Sequence, residues 1–413
     1  MGVTKLRYVD TMRVTKSPIL SSFTQIKEQD MTQVTLKTNL NTNEGILHMA
    51  FDLSHKSWKL AFSDGKHYRY CHVEGKNLPA LSEAISKAKQ KFGLPEDCQV
   101  VSCFEAGRDG FWLHHHLESI GIHNLVVDSA SIEVNRRKRQ VKTDKIDAKK
   151  LLGMLMRHRS GERKHWSVVH VPSEEDEDLR RIQREIDRLT KEQSQHTTRM
   201  RSLLNLHGIV IQGSIGGKGW ETTLNQLQMW NGEPLRPFIK AELLCENERL
   251  VLVRQQRQAQ EKEKCRLLEE ELENYPVLKQ VHKLQLLRSI GKASSWIYVM
   301  EFFGWRKFKN RKEVGALSGL TPTPFSSGNG NREQGISKAG NKRIRHITLE
   351  IAWLWLRYQP QSELSLWYEK RFAHGGARMR RIGIVAMARK LLISIWRYLE
   401  TDELPIGAVL KPC

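Results

Sequence analysis

Apolar residues follow one spacing early in this chain and another later, and the change divides it. From Leu47, the runs LHMAFDL, SWKLAFS and HYRYCHV are short and partly alternating, separated by polar and glycine turns such as Ser63-Asp64-Gly65, which predicts a three-stranded meander. Next comes LPALSEAISKAKQKFG, apolar at helical spacing and closed by Gly93, then a buried-type strand in CQVVSCFE. A helix around DGFWLHHHLESIG, a strand in NLVVD and a helix through DKIDAKKLLGMLM complete the order β-β-β-α-β-α-β-α. Beyond Pro172 the texture turns charged: Leu179, Ile182, Ile186, Leu189, Gln193, His196, Met200 and Leu203 recur at spacings of three and four, after a capping Ser173 and an acidic first turn. The Gly-rich GSIGGKG interrupts this helix, and a second charged one runs from about Phe238 to Tyr275. An apolar seam needs burial, so the pair predicts a long coiled coil, either antiparallel within the chain or formed between copies. From Val277 to Leu404 aromatic-rich helices flank a Gly/Ser/Asn loop, SSGNGNREQG, and predict a second, mostly helical domain. The expected organisation is an extension over 1–46, an α/β domain over 47–165, a helical bridge over 166–276, a C-terminal domain over 277–404 and a tail over 405–413.

Three antiparallel strands followed by two helix-linked parallel strands build a mixed sheet covered by helices. This is the element order of the RNase H-like fold shared by RuvC-type resolvases and many transposases. In that fold Asp52 in the first strand, Glu105 at the end of the fourth, and Asp144 with Asp147 on the last helix meet at one sheet edge. Asp144 and Asp147 are three residues apart, which puts them on one helix face. Clustered carboxylates repel unless cations relieve them, and hard oxygen donors select Mg²⁺ or Mn²⁺.

Charge then names the partner. Lys plus Arg exceed Asp plus Glu by 67 − 46 = 21, and a pI near 9.7 makes a surface that attracts polyanions, nucleic acid first among them. The six cysteines show no CxxC pairing, which argues against structural zinc and a disulfide framework. His114, His115 and His116 are adjacent helical residues that cannot converge on one ion. No apolar run approaches a membrane span and the first residues lack a signal-peptide core, so a soluble cytoplasmic protein with no membrane partner is expected. Between Arg136 and Lys164 twelve Lys/Arg stand against three acids, densest in RRKRQVKTDKIDAKK. Arg136, Arg137, Lys138, Arg139 and Lys142 are therefore candidates to hold a nucleic-acid backbone beside metal-binding carboxylates.

FDLSHKSW around Asp52, CFEAGRDGFW around Glu105, VKTDKIDAKKL around Asp144 and Asp147, and the distant ALSGLTPTPFSSGNGNREQGISKAGNKRIRH together resemble the bridge-RNA-guided DEDD transposases of insertion sequences, the insertion-sequence-110 class and its 1111-like branch. The resemblance runs in order over roughly residues 47–400. It implies a RuvC-like domain whose Asp52, Glu105, Asp144 and Asp147 bind metal, and a C-terminal transposase domain whose nucleophile is Ser327, the second serine of SSG. It also implies a covalent phosphoserine link to DNA, a non-coding guide RNA pairing with donor and target DNA, and a homo-oligomer, dimer or tetramer, in which one subunit's metal site is completed by another's serine loop. The residues themselves agree with such a loop: Gly328, Gly330 and Gly335 allow close approach to a phosphate, while Arg332, Lys338, Lys342, Arg343 and Arg345 could neutralise it. Two rival readings are a RuvC-like nuclease using metal and water, and a non-catalytic nucleic-acid scaffold.

Overall fold

The computed structural model describes residues 45–107, 110–132, 144–162, 165–327 and 330–412, and the chain divides into two compact units between Val171 and Pro172. The expected extension over 1–46 lies almost wholly outside the described residues.

In the first unit β1 (Leu47–Leu53), β2 (Ser57–Ser63) and β3 (Tyr68–Glu74) form the meander, followed by α1 (Leu78–Phe92), β4 (Val100–Glu105), α2 (Trp112–Ser119), β5 (His123–Val127) and α3 (Asp144–Arg159). The sheet order is β3-β2-β1-β4-β5, with β4 parallel to β1 and β5 parallel to β4. It is the mixed sheet that the element order predicts. Strand alternation sorts the core into two layers. Leu47, Met49 and Phe51 pack with Val100 and Phe104 against α1 and α2, while Ala50, Ala61, Val101 and Cys103 pack on the other face against Ala148, Leu151, Leu152 and Leu155 of α3. Both faces of β1 are covered, so burying a side chain such as Phe51 contributes about 2–3 kcal/mol. Gly93 closes α1 in the left-handed region at φ 66°, as its sequence suggests, and at the other end the Asn77 side chain accepts the Ala80 N–H at 3.0 Å.

The second unit contains α4 (Glu174–Asn205), α5 (Trp220–Gln226), α6 (Pro237–Glu270), α7 (Pro276–Gln285), α8 (Lys292–Tyr298), α9 (Arg311–Leu317), β6 (Pro322–Ser327), β7 (Gly330–Ile336), α10 (Lys342–Tyr358), α11 (Glu363–Tyr368) and α12 (Ala377–Thr401). Wider turns of π type follow α8 at Val299–Phe303 and α11 at Glu369–Ala373. Ser173 caps α4, its Oγ accepting the Asp176 N–H at 3.0 Å. The two long helices lie antiparallel against each other within the chain. Lys264 donates to Gln183 at 2.7 Å near one end, and His196 meets Glu246 at 2.7 Å towards the other. The seam is filled internally. Met200, Leu204, Leu243 and Leu250 form a small core with Trp220 and Leu224, whereas Leu179 and Leu267 join the large core of Trp296, Phe302, Trp355 and Leu391.

The segment expected as a Gly/Ser/Asn loop is instead a β-hairpin, β6 against β7, with Phe325 opposite Arg332 and Ser327 opposite Gly330. Glycine, serine and asparagine have weak strand preference, so the local pattern does not announce the pairing. Residues 403–412 are fastened down: Val409 exchanges hydrogen bonds with Gln359, and Lys411 Nζ donates to the Gln285 and Ile290 carbonyls. Among the described residues no helix is long and apolar enough to cross a membrane.

Candidate active-site elements

In the first unit two of the four acidic candidates sit at the ends of adjacent central strands. The last pair of the parallel β1–β4 ladder is Phe51 with Phe104, so Asp52 and Glu105, each the next residue, emerge at the same level. Both share the parity of Ala50 and Cys103 and therefore lie on the sheet face that α3 covers. Asp52 is half-buried and Glu105 exposed. α3 starts at Asp144 and is pinned to this face through Leu151, whose carbonyl accepts the Cys103 Sγ–H at 3.7 Å. Asp147 is half-buried one turn before Leu151; the side chain of Asp144, and Arg136, Arg137, Lys138, Arg139 and Lys142 altogether, lie outside the described residues. Among the described residues no three His, Cys, Asp or Glu side chains are grouped to hold a metal ion.

One cation in this neighbourhood escaped the sequence reading. Lys59 is directly opposite Asp52 in the β1–β2 pairing. Cross-strand partners share a face, so its ammonium belongs with the carboxylates. No spacing rule could have found it, since the register is set by the turn at residues 54–56.

In the second unit the hairpin carrying Ser327 rests on a clamp. Ser337 N–H donates to the Thr321 carbonyl at 2.8 Å, Lys338 N–H to the Gly319 carbonyl at 3.1 Å and Asn341 N–H to the Leu317 carbonyl at 2.9 Å. The chains approach so closely that a Cβ on Gly319 would meet the Ala339 oxygen at 2.0 Å, and one on Gly340 the Leu317 oxygen at 2.1 Å. SGLTP and SKAGN are thus the two jaws of one clamp. Ser327 ends β6, three residues before its partner Gly330, at the far end of the hairpin; the side chains of Ser327 and Arg332 lie outside the described residues. Lys338 and Lys342 are exposed at the hairpin's foot.

Arg343 and Arg345 are engaged within the protein. Arg345 Nη1 donates to the Ser318 carbonyl at 3.2 Å, and Arg343 pairs with Asp187 and approaches Glu301 at 3.7 Å. Glu301 is held chiefly by Arg184, through hydrogen bonds of 2.7 and 2.8 Å. Burial alone would push the Glu301 carboxyl up, but the Arg184 hydrogen bonds and the charges of Arg184 and Arg343 override it and hold the group below its ordinary value. Asn341 completes the arrangement: its Oδ1 caps α10 through the Arg343 and Ile344 N–H groups, and its Nδ2 donates to the Glu301 carbonyl at 3.2 Å.

The clamp and hairpin fall inside residues 281–365, which match the model of the IS116/IS110/IS902 transposase family. Over 386 residues the chain is 35% identical to y4rJ, a protein of Sinorhizobium fredii (strain NBRC 101917 / NGR234) named as a transposase, covering 91% of this chain and 97% of that one. The chain belongs to the IS116/IS110/IS902 transposase family. A second protein of that strain named as a transposase, y4qE, is 25% identical over 282 residues, covering 68% of this transposase and 63% of its own length. The transposase therefore acts on DNA, for which its charge excess of +21 is suited.

Proposed function

We propose that this transposase cuts and rejoins DNA with Ser327 as nucleophile and with Asp52, Glu105, Asp144 and Asp147 as ligands of a divalent metal, and that a non-coding RNA selects donor and target. The observation that carries this reading is the common level and face of Asp52 and Glu105 at the ends of adjacent parallel strands, beneath a helix that starts at Asp144. The strand order supports an RNase H-like, RuvC-like domain. Two hard carboxylates side by side fit Mg²⁺ or Mn²⁺, since two anions at one strand end repel unless a cation joins them. When bound, such an ion would neutralise phosphate oxygens and stabilise the attacking and leaving oxygens.

The chain's own residues then divide the remaining work. The Ser327 oxygen bonds to the phosphorus of a phosphodiester while the deoxyribose oxygen leaves and takes up a proton. A hydroxyl-ended strand next attacks that phosphorus, and the serine leaves with a proton restored. The clamp of SGLTP on SKAGN supports this role because it fixes the foot of the hairpin that carries Ser327 by backbone contacts. Lys338 and Lys342, exposed at the foot, supply positive charge for the backbone. Selection by RNA is supported by the spread of the charge excess together with the lack of a zinc-binding cysteine pattern in the sequence. A second copy of the chain completing the site is part of the same proposal.

The test is a recombination assay with Ser327→Ala, in the presence of the element's flanking non-coding RNA, donor and target. Loss of both the covalent protein–DNA adduct and strand exchange is expected. Strand exchange that persists would transfer the chemistry to water, and site-specific recombination by protein freed of RNA would remove the guide.

A further inference from the structure

The second unit carries a surface whose cations have no acidic partners. Along α4 and α6 arginines are matched by acids, as in Arg188 with Glu185 and Glu192, and Arg266 with Glu263, Glu270 and Glu271. From Arg357 to Lys390 eight Lys/Arg stand against two acids, Glu363 and Glu369. Among the described residues none of these eight pairs with a carboxylate, although all lie within one folded unit where partners could have been supplied. Unneutralised like charges destabilise the folded surface, so their clustering calls for a polyanion.

Aromatic rings are interleaved with these charges. Trp353 is 50% exposed on α10 and Tyr358 46%, while Leu366, Met379 and Ile382 add exposed apolar area. The Trp367 ring carries Lys390 Nζ at 4.7 Å and the Arg371 guanidinium at 5.7 Å. The three helices are joined through Tyr368. The Trp353 ring lies 6.5 Å from Tyr368 on α11, and the Tyr368 hydroxyl donates to the Arg380 carbonyl on α12 at 3.4 Å. A flat ring half in water beside free guanidinium groups matches a ligand that offers phosphates and the faces of planar bases together. Duplex DNA offers the phosphates but hides the base faces. Exchange of strands between donor and target, on the reading proposed above, unpairs bases, and the opened strand offers both.

We propose that the face formed by α10, α11 and α12 binds single-stranded DNA, with Trp353 stacking on a base and Arg378, Arg380 and Arg381 neutralising phosphates. This assignment is independent of the Ser327 and carboxylate chemistry, because binding is read without cleavage.

The test uses the full chain and fluorescence anisotropy, with a fluorescein-labelled DNA single strand of about 20 nucleotides, its duplex, and the RNA strand of the same sequence. Trp353→Ala is expected to weaken single-stranded DNA binding about tenfold while changing duplex binding by less than about twofold, and Trp353→Phe to retain most of the affinity. Replacing Arg378, Arg380 and Arg381 with Gln should weaken both DNA forms and reduce the slope of log Kd against log salt by about 2 for the single strand. Circular dichroism confirms that each variant is folded, and the arginine variant, altered only at exposed positions, carries the test if Trp353→Ala is not. An unchanged single-strand affinity in Trp353→Ala, or an equal loss for the duplex, overturns the stacking assignment. Tighter binding of the RNA strand than of the DNA strand overturns DNA as the occupant, and arginine variants that bind every probe as the wild type does overturn the site.

Discussion

Arg184, about three turns into α4, grips the buried carboxylate of Glu301 with both a 2.7 Å and a 2.8 Å hydrogen bond. The pair joins a long helix to the wide turn after α8, and Arg343 approaches the same carboxylate at the start of α10. The foot of the Ser327 hairpin is thereby tied to the helical pair through a single acid whose side chain is 5% exposed.

Breaking this pair should cost stability in a pH-dependent way. Arg184→Met leaves Glu301 buried with the charges of Arg343 and Arg180 but without its hydrogen-bonded partner, a loss of about 2 kcal/mol, below the usual figure for a buried pair because Arg184 is half-exposed. Because the folded-state pKa of Glu301 is lowered, its contribution is in place above the ordinary glutamate value of about 4.3 and fades as pH falls through the lowered value. The gap between wild type and variant should accordingly narrow below about pH 4.3. Urea unfolding followed by tryptophan fluorescence reads the second unit preferentially, since eight of the eleven tryptophans lie there. A gap that stays constant down to pH 3 would mean that charge is not its source.

The clamp makes a contrasting forecast for two glycines of the same hairpin. Gly340 and Gly335 both have positive φ, 86° and 90°, but a Cβ at Gly340 strikes the Leu317 backbone and one at Gly335 meets nothing within 4 Å. Gly340→Ala should cost about 3 kcal/mol or more and open the hairpin's foot to protease, whereas Gly335→Ala should cost only the strain of about 1–2 kcal/mol. Equal losses in thermal unfolding and limited proteolysis would argue that the jaws are not closed as described.

The carboxylates should separate chemistry from binding. Asp52→Asn and Glu105→Gln are each expected to lower strand cleavage by about two orders of magnitude or more, the loss typical of a ligand to a catalytic cation, while DNA affinity stays within about threefold. Ca²⁺ in place of Mg²⁺ should support DNA binding without cleavage, because its looser, higher coordination misplaces the reacting oxygens. Wild-type cleavage by either variant would leave these residues as surface acids.

The neighbouring serine supplies an internal control. Ser326→Ala should retain the protein–DNA adduct, since the proposed chemistry uses one hydroxyl, that of Ser327. An adduct lost in Ser326→Ala and kept in Ser327→Ala would move the nucleophile by one residue.

Lys59 tests how far the sheet's register matters. It faces Asp52 across β1 and β2, and its positive charge competes with a cation for that carboxylate. Lys59→Met should therefore lower the Mg²⁺ concentration needed for half-maximal cleavage, by about threefold for a loss of about 0.7 kcal/mol of repulsion. A titration that is unchanged, or shifted upward, would show that the side chain serves something other than the site's charge balance.

The sequence by itself determined the elements of the first unit, because burial on a sheet imposes a period of two and burial beneath a helix a period near 3.6, both written locally in runs such as LHMAFDL and LPALSEAISKAKQKF. It determined the helix end at Gly93 and the helix start at Ser173 for the same reason, a cap needing only its own adjacent turn. It also singled out Asp52 and Glu105, each a charge at the end of an apolar strand. Only the tertiary structure decided which positions sit side by side. The level shared by Asp52 and Glu105, and Lys59 opposite Asp52, follow from strand register, which a one-residue slip would change without altering the composition. The helical seam is filled by α4 against α6 rather than being left for another chain, a matter of where GSIGGKG and the segment after it turn the chain back. The inward engagement of Arg343 depends on Asp187, more than a hundred residues away, and that of Arg345 on the Ser318 carbonyl across the clamp, while the β6–β7 pairing, though local, runs through glycine, serine and asparagine, whose weak strand preference hides it.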